Sequence, residues 1–132
     1  MTLITACILS PSKPQEGYRA SVMSRHTLND GVTPDTRLTE YGVFHYHLPI
    51  LGFPEGVGMF HRGEINWEEY ARRYKEHLRQ PHVDTVLKVL SRRAMRGNVT
   101  LLCIEKTPER CHRRFIAERC KEIFPDLAII VG

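Results

Sequence analysis

Residues 98–119 constrain the fold more than any other stretch of the chain: Asn-Val-Thr-Leu-Leu-Cys-Ile-Glu-Lys-Thr-Pro-Glu-Arg-Cys-His-Arg-Arg-Phe-Ile-Ala-Glu-Arg. The apolar run from Val99 to Ile104 predicts a buried strand. Glu105 to Thr107 predicts a short polar loop. A helix then follows over 108–124, with Thr107 as its N-cap and Pro108 at the first helical position, where a missing N–H costs nothing. A last apolar strand runs from Leu127 to Val131. Strand, helix and strand within about 34 residues form a right-handed βαβ crossover, which demands parallel strands. Sheets of this kind bind ligands outside the carboxyl ends of their strands, and the amino ends of helices attract anions. The turn after Ile104 is therefore where chemistry is expected.

The rest of the chain fits that frame. With 132 residues it is long enough for a real core. We expect a single three-layer α/β domain over 1–132, with a central, partly parallel sheet and a C-terminal βαβ unit. Residues 2–10 predict a first strand and 18–25 a second, paired as a long-looped hairpin or lying side by side. Residues 41–48 predict a third, with Phe44, Tyr46 and Leu48 on one face and His45 and His47 on the other. Two irregular stretches, 26–40 and 49–63, separate these elements, and the first is too long and polar for a simple linker. A helix is expected over 66–79. Asn66 caps it, Glu69 sits three residues on, and Trp67, Tyr70, Ala71, Tyr74 and Leu78 share one face. Glu68–Arg72 and Glu69–Arg73 are favourable pairs on the other face. After Pro81 a second helix, 82–96, buries Val83, Val86, Leu87, Leu90 and Ala94, and Gly97 suits its C-terminal turn.

Composition narrows the function. No apolar run approaches the ~18–20 residues that span a membrane. The opening Met-Thr-Leu-Ile lacks the basic start of a signal peptide. A cytoplasmic protein with no membrane partner is expected. Cysteines at 7, 103, 111 and 120 lack the regular spacing of a disulfide scaffold. Cys111 and Cys120, on one helix, are roughly 13 Å apart, too far to bridge, whereas Cys103 and Cys111 can meet. The net charge is +4, with 14 Arg against 5 Lys. That balance suits an anionic partner, either a phosphate-bearing small molecule or nucleic acid, without requiring one.

The turn itself carries the candidate chemistry. Cys111 falls in the first turn of the expected helix, beside Arg110, Arg113 and Arg114, a setting that favours thiolate. It is the candidate nucleophile, with His112 and Glu105 as the other candidate catalytic groups. Neighbours on a helix point about 100° apart, so His112 need not touch Cys111; it aligns with Ile116 and faces the sheet or the cleft above it. Arg25, Arg113, Cys103 and Lys106 are the candidate ligand-binding residues. The plain alternatives are that Cys103 and Cys111 are small core residues and that Glu105 and Lys106 are a solvated pair. A metal site would need Cys103, Cys111 and His112, completed by His45 or His47. The spacing C-x7-C-H is not an established zinc pattern and the nearby arginines oppose a cation, so no metal is expected and no cofactor is named. A phosphatase-type cradle from Cys103 to Arg110 has the right topology, but its loop is one residue too long, lacks glycine and contains the repelling Glu105.

These residues carry a family resemblance. Leu101-Leu102-Cys103-Ile104-Glu105-Lys106, followed by Cys111-His112-Arg113 and Ile116-Ala117, resembles the C-terminal signature of the domain-of-unknown-function 488 family. That pattern is an apolar strand, Cys-x-Glu-Lys, then Cys-His-Arg at a helix start. Ser24-Arg25 is similar to the family's early strand-end arginine, and Glu-Glu-Tyr70-x-x-x-Tyr74 resembles its mid-chain tyrosine helix. The resemblance implies a compact α/β fold and a shared pocket at Arg25, Cys103, Glu105, Cys111, His112 and Arg113. It implies no reaction. Three functions remain in view: binding or processing of an anionic, possibly nucleotide, ligand; a nucleic-acid-binding module; and a purely structural role for the motif.

Overall fold

The computed structural model describes residues 2–11, 13–28, 32–39, 43–104 and 111–132. Strands β1 (Thr2–Cys7), β2 (Tyr18–Ser21), β3 (Tyr46–His47), β4 (Val99–Cys103) and β5 (Ala128–Val131) form one sheet in the order β3-β2-β4-β1-β5. Every strand pairing is parallel, so the expected partly parallel character is fully so among the described residues. β4 lies at the centre and all five of its residues are buried. A strand covered on both faces has to be apolar in both directions, which is why Val-Thr-Leu-Leu-Cys shows no polar alternation.

Helices α1 (Thr36–Thr39), α2 (Pro54–His61), α3 (Trp67–Leu78), α4 (Pro81–Arg96) and α5 (His112–Ile123) complete the architecture. Val99, Leu101 and Cys103 pack with α3, α4 and α5 in one large cluster, and Leu102 points the other way, against Ile8 and Leu38. The second face is thus covered mainly by irregular segments and the single turn of α1. Beneath that cover, the buried Arg19 is ion-paired with Glu16 and donates to the carbonyls of Val43 (3.0 Å) and Ser10 (3.1 Å). Such a cation is tolerable inside only because its donors are met.

The expected β1–β2 hairpin does not form, nor do the two strands lie side by side. They run parallel on opposite sides of β4, with Leu3 and Tyr18 both in register with Val99. Residues 8–17 carry the chain back to the start of β2. Gly17 permits the last step: its φ is +65°, and a Cβ there would lie 1.9 Å from the Asn98 carbonyl oxygen. The C-terminal unit is also less local than expected, because β1 separates β4 from β5.

Other boundaries shift for identifiable reasons. Asn66 caps α3 as expected, its Oδ1 accepting from Glu69 N–H at 2.8 Å. Arg72, however, pairs with Glu69 and Glu76 instead of Glu68, while Arg73 pairs with Glu69. Gly97 is extended (φ −171°), so α4 ends without a left-handed cap. The stretch 49–63, read as irregular, contains α2, whose Pro54 opens it. Among the described residues of the expected strand 41–48, the strand is confined to Tyr46–His47, and β2 stops at Ser21, leaving Arg25 beyond it. α5 begins at His112, with Cys111 as its N-cap instead of inside its first turn. Thr107, Pro108 and Arg110 lie outside the described residues.

Candidate functional site

The carboxyl ends of β2 and β4 open into a cleft of about 960 Å³. Cys103 reaches it from the last position of β4, and Cys111 and His112 from the start of α5. One wall comes from the segment after β2 (Met23, Ser24, Arg25) and from Thr27, Leu28, Asp35, Arg37 and Leu38. The opposite wall comes from α2 and α3, with Phe60, His61, Arg62, Trp67 and Tyr70. The aromatic side is continuous: the Trp67 and Tyr70 rings stack at 5.1 Å, and Phe60 lies 5.6 Å from Trp67. Guanidinium groups dominate the charged lining, with Arg25, Arg37 and Arg62 against the carboxylate of Asp35. Asp35 binds Arg37 through both oxygens, at 3.0 and 2.7 Å, and that contact holds its carboxyl below the ordinary range.

The floor brings three expected residues together. The ligand atoms of Cys103, Cys111 and His112 all lie within 4.8 Å of one another, and all three residues are buried. The His112 ring is held from two directions. Its Nε2 is 2.9 Å from the Val22 carbonyl oxygen, and the Tyr74 ring meets it edge-on at 5.4 Å. A carbonyl can only accept, so Nε2 carries a proton, which in the neutral ring leaves the lone pair on Nδ1. Tyr74 is itself fully buried and donates to the Leu51 carbonyl.

The expected Cys111 thiolate is not supported by this setting. The hydrogen bond with Cys103 and burial push the Cys111 thiol far above its ordinary range, and His112 offsets this only in part. The arginines that were to stabilise a thiolate are differently placed. Arg113 is fully buried and its Nε donates to the Gly132 carbonyl at 3.1 Å. Among the described residues it is not part of the cleft lining, and it ties α5 to the segment after β5. Arg114 pairs with Glu118. Glu105, Lys106 and Arg110 lie outside the described residues.

Arg25 stands on the cleft wall, where the sequence suggested a strand-end anion ligand. His45 and His47 do not join the floor. His45 Nδ1 accepts from the Arg19 backbone N–H at 2.9 Å, and His47 Nε2 lies 2.7 Å from the Met23 carbonyl oxygen. Sequence reasoning did not single out Arg37, Arg62, Phe60 or Trp67 as lining residues. The signal available was the length of the two irregular stretches, because long connections at a strand's carboxyl end are where ligand contacts concentrate.

Fold and site together define an α/β protein with a cleft at the carboxyl edge of a parallel sheet. Residues 22–120 match the family described as Domain of unknown function DUF488, and the chain belongs to that family. The match covers every residue that lines the cleft. No curated protein and no solved structure matches the chain. No helix among the described residues is long and apolar enough to cross a membrane.

Proposed function

We propose that the protein binds an anionic, phosphate-bearing ligand in the cleft at the carboxyl ends of β2 and β4. The observation that carries this reading is the placement of Arg25 on a concave surface beside an aromatic wall, with Arg37 and Arg62 on the same lining, each ion-paired with one carboxylate (Asp35 and Glu64). Guanidinium groups suit phosphate because their paired N–H donors match its oxygens. The amino end of α5 opens onto the same cleft through Cys111 and His112, and helix amino ends favour anions. The Phe60, Trp67 and Tyr70 rings offer a stacking surface for a planar group such as a nucleobase. Binding is favoured over covalent processing, because the candidate nucleophile Cys111 is held as a thiol.

The nucleic-acid module has less support. Arg72, Arg73, Arg79 and Arg119 are engaged with carboxylates, so the basic count does not translate into an open basic face on α3 and α5.

Titration calorimetry of metal-stripped protein with inorganic phosphate, pyrophosphate and a nucleoside 5′-monophosphate tests the reading. Loss of a charge-assisted hydrogen bond in Arg25→Ala should weaken binding by at least about tenfold. Arg96→Ala, on exposed α4 surface outside the cleft, should bind like the parent. Equal loss in both variants, or none in Arg25→Ala, overturns the site.

A further inference from the structure

We infer that Cys103, Cys111 and His112 form a binding site for a divalent transition metal of the zinc type, with its fourth coordination position open to the cleft. Spacing along the chain argues against such a site, since C-x7-C-H resembles no common zinc pattern. Spacing in space argues for it. The three donor atoms lie within 4.8 Å of one another. In a tetrahedral site with Zn–S of about 2.3 Å and Zn–N of about 2.0 Å, neighbouring donors are about 3.5–3.8 Å apart. Cys103 Sγ stands 3.7 Å from His112 Nδ1.

The support around the ring is that of a metal-binding histidine. Such residues usually give their second ring N–H to a carbonyl or carboxylate, which fixes the tautomer and directs the lone pair. His112 does this through Nε2 and the Val22 carbonyl at 2.9 Å. Cys103 Sγ is also 3.8 Å from Nε2, so the sulfur lies off the Nδ1 lone-pair axis. The ion itself would take the Nδ1 axis, and a change of the Cys103 rotamer would carry the sulfur from beside the ring toward the ion.

Charge also balances. On binding, each thiol loses its proton to solvent, and the two sulfurs and Nδ1 each donate an electron pair; no electron is transferred. Two thiolates neutralise a dication. Of the two arginines that flank Cys111-His112 in sequence, Arg113 donates to Gly132 and lies outside the cleft lining, and Arg110 lies outside the described residues. All three donors line the cleft, so water or an anion can take the remaining position. Three protein ligands with one open position is the arrangement of zinc sites that act on bound molecules, as distinct from closed structural ones.

The inference does not depend on the proposed phosphate binding, which is measured on metal-stripped protein, so the two can fail separately. The full chain is purified with reductant, stripped with chelator and loaded with zinc or cobalt(II). The expected result is one ion per chain retained through gel filtration, and for cobalt a thiolate charge-transfer band with the intense visible bands of a tetrahedral ion. Cys103→Ser and Cys111→Ser should each reduce the charge-transfer band, and His112→Gln should weaken affinity at least about tenfold. The Cys7→Ser/Cys120→Ser double variant should retain the full spectrum. Circular dichroism checks each fold; if a cysteine variant unfolds, the wild-type cobalt spectrum and the double variant decide. Substoichiometric retention by the wild type, a spectrum unchanged in Cys103→Ser/Cys111→Ser, or formation of a Cys103–Cys111 disulfide without metal retention overturns the inference.

Discussion

Arg113 Nε donates to the Gly132 carbonyl at 3.1 Å, and this contact joins the first turn of α5 to the segment that follows β5. The Gly132 carbonyl also accepts from Thr5 Oγ1 at 3.2 Å, and Gly132 N–H donates back to Thr5 Oγ1 at 3.0 Å. A residue that looked like a ligand clamp thus holds β1, α5 and the chain after β5 together. Arg113→Ala should cost about 2–4 kcal/mol of stability, since it removes a fully buried side chain and its hydrogen bond. Urea denaturation measures this. Phosphate affinity should be unchanged in the same variant; a loss of affinity without loss of stability would return Arg113 to the site.

The cysteines should differ sharply in reactivity. In metal-free protein Cys7 is half-buried, whereas Cys103, Cys111 and Cys120 are buried. Iodoacetamide at neutral pH should label Cys7 first and reach the other three only as urea unfolds the chain, read by peptide mass spectrometry. Rapid labelling of Cys111 in the folded state would contradict the protonated, sheltered thiol described above.

Stability should fall at alkaline pH. Burial pushes the Cys120 thiol from its ordinary 9.0 up to about 11. The unfolded chain therefore loses this proton first as pH rises, and the stabilisation present below about pH 9 disappears by about pH 11. Tyr74 and Cys111 are shifted in the same direction. Cys120→Ala should flatten part of this slope in denaturation midpoints measured across the window, leaving the share from the other two groups.

An opposite effect is expected at mildly acidic pH. Burial, and next His47, hold His26 below its ordinary 6.5. Its ring is 4.2 Å from that of His47, and its Nε2 is 2.7 Å from Ser21 Oγ. The unfolded chain takes up this proton first as pH falls, so stability declines as the medium is acidified below about 6.5. His26→Gln should flatten the difference between denaturation midpoints at about pH 7.5 and about pH 5.5.

Several elements were legible because their causes are local. The continuous apolar run of β4 announced a strand buried on both faces, and the Asn66 cap announced α3. α2 was hidden because Gly56 and Gly58 lower helix propensity. The fold explains Gly56: a Cβ there would lie 2.7 Å from the Phe53 ring and 3.3 Å from the Tyr70 ring. Packing chose a residue that local sequence reads as a breaker. The neighbourhood of Cys103, Cys111 and His112 was visible, because strand and helix had to meet there. The protonation of Cys111 was not, because burial is supplied by residues distant in the chain, such as Tyr70 and Tyr74. For the same reason the cleft walls escaped notice: Arg37 and Arg62 come from separate connections that only the finished sheet draws together.

The position of β4 has a consequence for how the chain is made. The strand at the middle of the sheet is synthesised after β1, β2 and β3, and β1 and β2 both pair with it. Until residues 99–103 leave the ribosome, β1 and β2 lack the strand that joins them, and β2 has only β3 to pair with. The centre of the sheet therefore has to wait for a segment nearly a hundred residues after β1. Such late, long-range closure slows folding and prolongs exposure of apolar segments. Leu3, Ala20 and Val22, each buried in the finished protein, are what a chaperone at the exit tunnel would find uncovered for longest.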